Sequence, residues 1–181
     1  RDASKIAGTN PCAEISLRSA GLCNLSEVVI RSTDTLDDLK YKVRIATIIG
    51  TYQSLLTDFK YIRPIWKQNQ EDERLLGVSL TGIMDHPVLA QTMPLTNEWL
   101  RQLKQVAIKT NREWAEKLGI KPAAAITTVK PSGTVSQLVD SASGIHPRYS
   151  PFYIRTVRAD KKDPLAQLMV SQGFPVEDAF G

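Results

Sequence analysis

The chain is poor in cysteine and histidine and has no long apolar run. Two cysteines and two histidines occur in 181 residues. So few thiols exclude the disulfide framework of a small secreted domain. They fit a cytoplasmic setting in which the thiols are functional. No stretch approaches the roughly 18 consecutive apolar residues of a membrane span, and no block of Lys and Arg marks a nucleic-acid arm. The GxxxxGK[ST] phosphate pattern is missing. The sequence opens on Arg1-Asp2-Ala3-Ser4-Lys5, with neither an initiator methionine nor the apolar core of a signal peptide. It therefore reads as an internal piece of a longer polypeptide. What is present is ordinarily globular, 42% hydrophobic and 23% charged, and long enough for one domain with a sizeable core. The net charge of +4 suits anionic ligands such as nucleotides. Most of that charge reads as solvated surface.

Apolar spacing predicts an α/β order. Gly21 to Ile30 reads as a strand. Ser32, Thr33 and Asp34 offer N-caps for a helix from about Leu36 to Phe59. Leu36, Leu39, Val43, Ala46, Ile49 and Tyr52 would form its buried stripe, and Gly50 weakens it locally. A short helix or turn is expected around Pro64–Gln70. Leu75 to Ile83 reads as a buried strand, and Asn97 to Leu118 as a second long helix, stopped by Gly119. Its inner side would carry Leu100, Leu103, Ala107, Thr110 and Trp114. Ala123–Val129 and Tyr153–Val157 read as short strands. Asp163 to Gln172 reads as a terminal helix, with Asp163 as N-cap and Pro164 first. Long helices between strands imply parallel pairing through crossovers. So few parallel strands would leave open edges, so the chain reads as part of a larger sheet or barrel.

Two segments carry chemistry. Asn10-Pro11-Cys12-Ala13-Glu14 places an amide, a thiol and a carboxylate within five residues, and its proline and small residues imply a loop tip. Cys23 follows eleven positions later. The second segment is Pro131-Ser132-Gly133-Thr134-Val135-Ser136. Its hydroxyls and backbone N–H groups suit a phosphate, with a helix expected to begin near Ser136, and Gly133 allows close backbone approach. Alone, each has a plain structural meaning: a buried thiol, a turn with an N-cap. His146 has no Cys or carboxylate at ligand spacing, so no metal site is expected. His146-Pro147-Arg148 suits either shaping a pocket or bracing a loop. Trp66, Trp99 and Trp114 sit at helical positions that read as core.

Together, Asn10 to Glu14, the run Gly21-Leu22-Cys23-Asn24-Leu25, the run Val129 to Gln137 and Ser143 to Arg148 resemble, in order, the thiyl-radical site of ribonucleotide reductases. The wording around Tyr61–Ile83, with its run ERLLGVSLTGI, is similar to the adenosylcobalamin-dependent branch, class II. The resemblance covers essentially the whole chain. It implies the C-terminal part of a ten-stranded α/β barrel with a central finger loop. Residues 1–181 would form a single segment of that barrel, its upstream half missing.

The resemblance also implies roles. Cys12 would carry the thiyl radical and abstract the 3′-hydrogen of the ribose. Glu14 would be the general base on the 3′-OH, and Asn10 would hydrogen-bond the ribose hydroxyls. Cys23 would supply reducing equivalents and a proton to the departing 2′-oxygen, which needs a second thiol from an upstream strand. A Cys12–Cys23 disulfide is the competing arrangement. Residues 131–136 would bind substrate phosphate. The implied cofactor is adenosylcobalamin, although no cobalamin motif is seen. The implied partners are a ribonucleoside di- or triphosphate, a thioredoxin-type reductant and the rest of the reductase chain, with no membrane and no direct nucleic acid. Cys23 without a partner thiol implies that the isolated chain has no turnover. The alternatives are an iron-dependent class I large subunit, a subunit of a split enzyme, and a non-catalytic phosphate-binding α/β module that would be indifferent to Cys12.

Overall fold

The computed structural model describes residues 2–179; Arg1, Phe180 and Gly181, the ends of the expected 1–181 segment, lie outside the described residues. The chain divides between Arg148 and Tyr149 into two compact units.

The first unit begins with a 3-10 turn at Ala3–Lys5 and a hairpin of β1 (Ile6–Thr9) and β2 (Ser16–Arg18). These strands pair antiparallel, Thr9 opposite Ser16, with an irregularity between Ile6 and Gly8. Neither strand was expected from the sequence. They are short and mostly exposed, so they carry no alternating apolar pattern. Next come β3 (Asn24–Val29), α1 (Leu36–Gln53), α2 (Ile65–Glu73) and β4 (Leu76–Thr81). Strands β3 and β4 pair in parallel from Asn24↔Leu76 to Val29↔Thr81, as the strand–helix–strand order predicts. A 3-10 turn at Ile83–Asp85 leads to α3 (Pro94–Lys117), and α4 (Thr134–Leu138) follows.

Helix α1 starts with Thr35 rather than residues 32–34 as its cap, because Thr35 and Asp38 form a reciprocal capping box. It stops at Gln53, not Phe59. The Ser54 carbonyl accepts from Arg74 Nη1 at 2.7 Å and from Gln70 Nε2 at 3.3 Å, so side chains take the bonds that another turn would have supplied. The buried face holds Leu39, Val43 and Ala46 as expected, then Thr47, Gly50 and Thr51. Ile49 and Tyr52 lie outside, 57% and 46% exposed. The two threonines turn inward because each hydroxyl donates to the carbonyl one turn back, at 2.7 Å. Helix α3 begins three residues earlier than expected, with Pro94 in its first turn. Of its expected stripe, Leu103, Ala107 and Thr110 are buried and Leu100 is not. Trp99, Trp114 and Trp66 are half-buried, and Trp99 packs on the core.

The core sits between the sheet and the helices. Val28 from β3 and Ile30 just after it, Val78 from β4, Leu39, Val43 and Ala46 from α1 and Leu103 and Ala107 from α3 form one cluster. Each fully buried side chain of this size contributes about 1.5–3 kcal/mol. Alternation then sends Leu25, Glu27, Gly77 and Ser79 to the opposite face. A third segment runs parallel beside β4 through one bridge, Val78↔Thr127, where a strand over 123–129 was expected. Thr128 N donates to the Val78 carbonyl at 3.0 Å and Val78 N to that of Ile126 at 2.9 Å.

In the second unit α5 (Pro164–Ser171) is capped by Asp163, whose side chain accepts from Leu165 N. The expected strand at Tyr153–Val157 is absent. That stretch is exposed and has no strand to pair with among the described residues of its unit. No helix among the described residues is long and apolar enough to cross a membrane.

Candidate functional site

The hairpin loop and the helix-free face of the sheet meet. Asn10 is buried and closes the loop upon itself. Its Oδ1 accepts from Ile15 N at 3.0 Å, its N–H donates to the Ile15 carbonyl at 3.0 Å, and its carbonyl accepts from Ala13 N at 2.9 Å. Asn10 is thus the local capping amide of this tip, and no hydrogen bond among the described residues engages its Nδ2. Ala13 holds φ +63°, the left-handed region that costs a non-glycine residue about 1 kcal/mol. Such strain places neighbouring side chains in positions an ordinary turn would not offer.

Cys12 stands exposed at this tip, and Cys23 is half-buried at the entry to the first parallel strand. Both thiols are free, not joined to each other. Ile15 is buried and anchors the loop against Gly77, and Thr128 Oγ1 donates to the Glu14 carbonyl at 2.8 Å. These contacts turn the Glu14 side chain inward. Both its carboxylate oxygens are buried and neither has a hydrogen-bond partner among the described residues. Burial pushes the Cys23 thiol up, the Glu14 charge pushes it further, and Lys130 opposes them. Glu14, Cys23 and Lys130 therefore share one electrostatic environment.

Lys130 leads into the second segment. Ser132 is buried, and its Oγ has no hydrogen-bond partner among the described residues. Ser136 Oγ donates to the Gly133 carbonyl at 2.7 Å, so that hydroxyl is spent within the loop. The short helix begins at Thr134, two residues before Ser136. Pro131, Thr134 and Val135 are exposed. A β-carbon at Gly133 would meet nothing within 4 Å, so the loop is open there.

The segment after α4 fastens this loop to the end of β4. Thr81 Oγ1 donates to the Ala142 carbonyl at 3.0 Å and accepts from Gly144 N at 2.9 Å. Ser143 Oγ donates to the Ser132 carbonyl. Gly144 is required here: its φ is +54° and a β-carbon would fall 2.7 Å from the Lys130 carbonyl. Arg148 braces the loop. Its guanidinium bonds Asp85 through Nε at 3.1 Å and Nη2 at 3.2 Å, and Asp140 through Nη1 at 2.8 Å. His86 is buried in the fold: Nδ1 accepts from Val88 N and Leu89 N, each at 3.2 Å, so the other nitrogen donates to the Asp34 carbonyl. No cluster of His, Cys, Asp or Glu among the described residues is placed to hold a metal ion.

Two further residues belong to this face and were not singled out in the sequence, Glu27 and Lys130, with Lys130 Nζ 3.9 Å from Glu27 Oε2. The available signal was a lone carboxylate within the strand Asn24–Val29.

No family model matches the chain. The chain is similar to adenosylcobalamin-dependent ribonucleoside-triphosphate reductases. It is 29% identical to that of Levilactobacillus brevis, an alignment covering 95% of this chain and 26% of the relative. It is 29% identical to that of Euglena gracilis, covering 96% and 23%. The chain thus spans about a quarter of the length of the curated relatives it matches. A crystal structure of a B12-dependent (class II) ribonucleotide reductase superposes with a TM-score of 0.69 at 24% identity, over 81% of this chain and 23% of that one. That likeness shows the fold of this piece.

Proposed function

We propose that this chain forms part of the catalytic barrel of an adenosylcobalamin-dependent ribonucleotide reductase, which makes 2′-deoxyribonucleotides for DNA synthesis. Residues 9–16 would be its finger loop. The observation that carries this reading is Glu14: a carboxylate with both oxygens buried and unpartnered, two residues from an exposed thiol and acting on a second thiol. A buried carboxylate without hydrogen bonds is costly. A substrate hydroxyl would satisfy it.

We assign the roles by the resemblance, residue by residue. Cys12, exposed at the tip, takes the 3′-hydrogen of the ribose as a thiyl radical and later returns it. Glu14 accepts the 3′-OH proton. Cys23, kept in its thiol form by burial and by Glu14, gives a proton to the 2′-oxygen, which leaves as water. Cys23 and a second thiol from another part of the reductase supply two electrons and end as a disulfide, which a thioredoxin-type reductant reopens. The Asn10 Nδ2 donor would serve the ribose hydroxyls. Residues 131–136 take the phosphates of a ribonucleoside di- or triphosphate, chiefly through Ser132 Oγ and open backbone near Gly133.

An exposed Cys12 thiol fits a radical delivered from outside the loop, and it would be the residue that receives it. Adenosylcobalamin, when bound, supplies a radical equivalent through its weak cobalt–carbon bond. Glu14→Gln tests the reading in the full-length reductase. Turnover falls by about 10²–10⁴-fold while nucleotide binding is retained. Unchanged turnover overturns the role of Glu14.

A further inference from the structure

The Glu14 carboxylate lies buried with no hydrogen-bond partner among the described residues, so its head group does not hold itself in place. Its position is inherited from the Glu14 backbone. Two contacts fix that backbone: Ile15 packs over Gly77, and the Glu14 carbonyl accepts from Thr128 Oγ1 at 2.8 Å. Other ties of the hairpin lie away from this tip. Arg18 Nε is 3.1 Å from Glu73 Oε1, and Asn69 Nδ2 donates to the Ser19 and Ala20 carbonyls at 2.8 and 3.2 Å. They secure the end of β2.

Thr128 is a rigid point of attachment. Its N–H donates to the Val78 carbonyl at 3.0 Å, beside the Val78↔Thr127 bridge. Its side chain branches at the β-carbon, which restricts χ1. One branch, Oγ1, bonds the Glu14 carbonyl; the other, Cγ2, comes within 3.3 Å of a β-carbon built at Gly77. Further along, the Lys130 ammonium lies 3.9 Å from Glu27 Oε2 on β3, and the Lys130 carbonyl packs on Gly144. The Ser132 carbonyl accepts from Ser143 Oγ. The stem of the 131–136 loop is thus fastened to β4, to β3 and to the turn after α4.

We infer that Thr128 is a positioning residue for Glu14. Its hydroxyl sets the carboxylate from the same stem that carries the phosphate loop, so the base and the phosphate grip keep a fixed separation. The inference rests on the proposed roles of Glu14 and of residues 131–136. A phosphate held by the loop then brings the ribose to Glu14 at one distance, and proton transfer is sensitive to that distance. Losing the Thr128 hydroxyl slows the chemistry without loosening the nucleotide.

The test uses the full-length reductase with Thr128→Val, which replaces the hydroxyl by a methyl, and Thr128→Ser, which keeps it. The first readout is amide hydrogen exchange over residues 9–16 by mass spectrometry, which needs no turnover. Thr128→Val is expected to speed that exchange about fivefold, the effect of losing one hydrogen bond, and Thr128→Ser to match wild type. The second is steady-state turnover. Thr128→Val lowers kcat about tenfold with KM within about twofold of wild type, and Thr128→Ser restores kcat. In a Glu14→Gln background Thr128→Val adds nothing, because the carboxylate it positions is gone. Should the valine variant fold poorly, Thr128→Ser against Thr128→Ala makes the same comparison. Unchanged exchange in Thr128→Val, a raised KM with kcat intact, or a full Thr128→Val loss that persists without the Glu14 carboxylate would overturn the inference. Undiminished turnover in Glu14→Gln alone would instead overturn the reading of Glu14 as the base, and the exchange rates would still decide whether Thr128 holds the loop.

Discussion

The side chain of Ile15 lies over Gly77: a β-carbon built at Gly77 falls 2.9 Å from Ile15 Cδ1 and 3.3 Å from Thr128 Cγ2, and closer still to Leu25 Cδ2. Ile15 follows Glu14 directly, so this contact fixes where the carboxylate sits. Gly77→Ala should cost about 1–3 kcal/mol through overpacking. It should also lower turnover more than stability alone explains, by lifting the loop. A chemical-denaturation midpoint and a kcat measured on the folded fraction check both. An unaffected kcat would show that Gly77 does not set the loop.

Gly50 gives the opposite sign. It lies inside α1, and a β-carbon there would meet Leu76 and Ser26 at ordinary distances of 3.6 Å and beyond. Gly50→Ala should therefore stabilise the protein by about 0.5–1 kcal/mol, the helix-interior cost of glycine. A lowered thermal midpoint would contradict the packing described around it.

Ser132 separates stability from binding. Its Oγ is buried without a partner among the described residues, so Ser132→Ala removes an unmet hydrogen bond and should leave stability unchanged or raise it by about 1 kcal/mol. The same change should weaken nucleotide binding, raising KM about tenfold with little change in kcat. Weaker stability with unchanged KM would make Ser132 a structural residue only.

Glu113 joins α3 to α1. Arg44 and Lys117 hydrogen-bond it and hold its carboxyl at about 2, below the ordinary 4.5. A depressed carboxylate contributes stability that is full above its unfolded value and is lost as pH falls through its folded value. The gap in thermal midpoint between wild type and Glu113→Gln should thus be constant above pH about 4.5, shrink below it and close near pH 2. The gap is modest because the group is solvated. A pH-independent gap would contradict the ionic bonding.

Much of the site was legible because its chemistry is local in sequence. Asn10, Cys12 and Glu14 share one tight loop, and their motif carries the family resemblance. The strand–helix–strand order was equally plain from Val28, Leu39, Val43 and Val78. Glu27 and Lys130 were not legible, since 103 residues separate them and only the parallel pairing brings them to one face. The inner face of α1 was misread at Ile49 and Tyr52. Thr47 and Thr51 replace them by bonding their hydroxyls to the helix backbone, which no hydrophobic pattern reveals. Tyr153–Val157 has strand-forming residues but no edge to pair with among the described residues of its unit.

The most direct measurement is ribonucleotide reduction by the full-length reductase with adenosylcobalamin as the only radical source, comparing wild type with Cys12→Ser. Cys12 is exposed, so the substitution leaves the fold intact. Turnover that requires the cofactor and vanishes in Cys12→Ser is the predicted result. Turnover that survives the loss of the Cys12 thiol would contradict the thiyl-radical site.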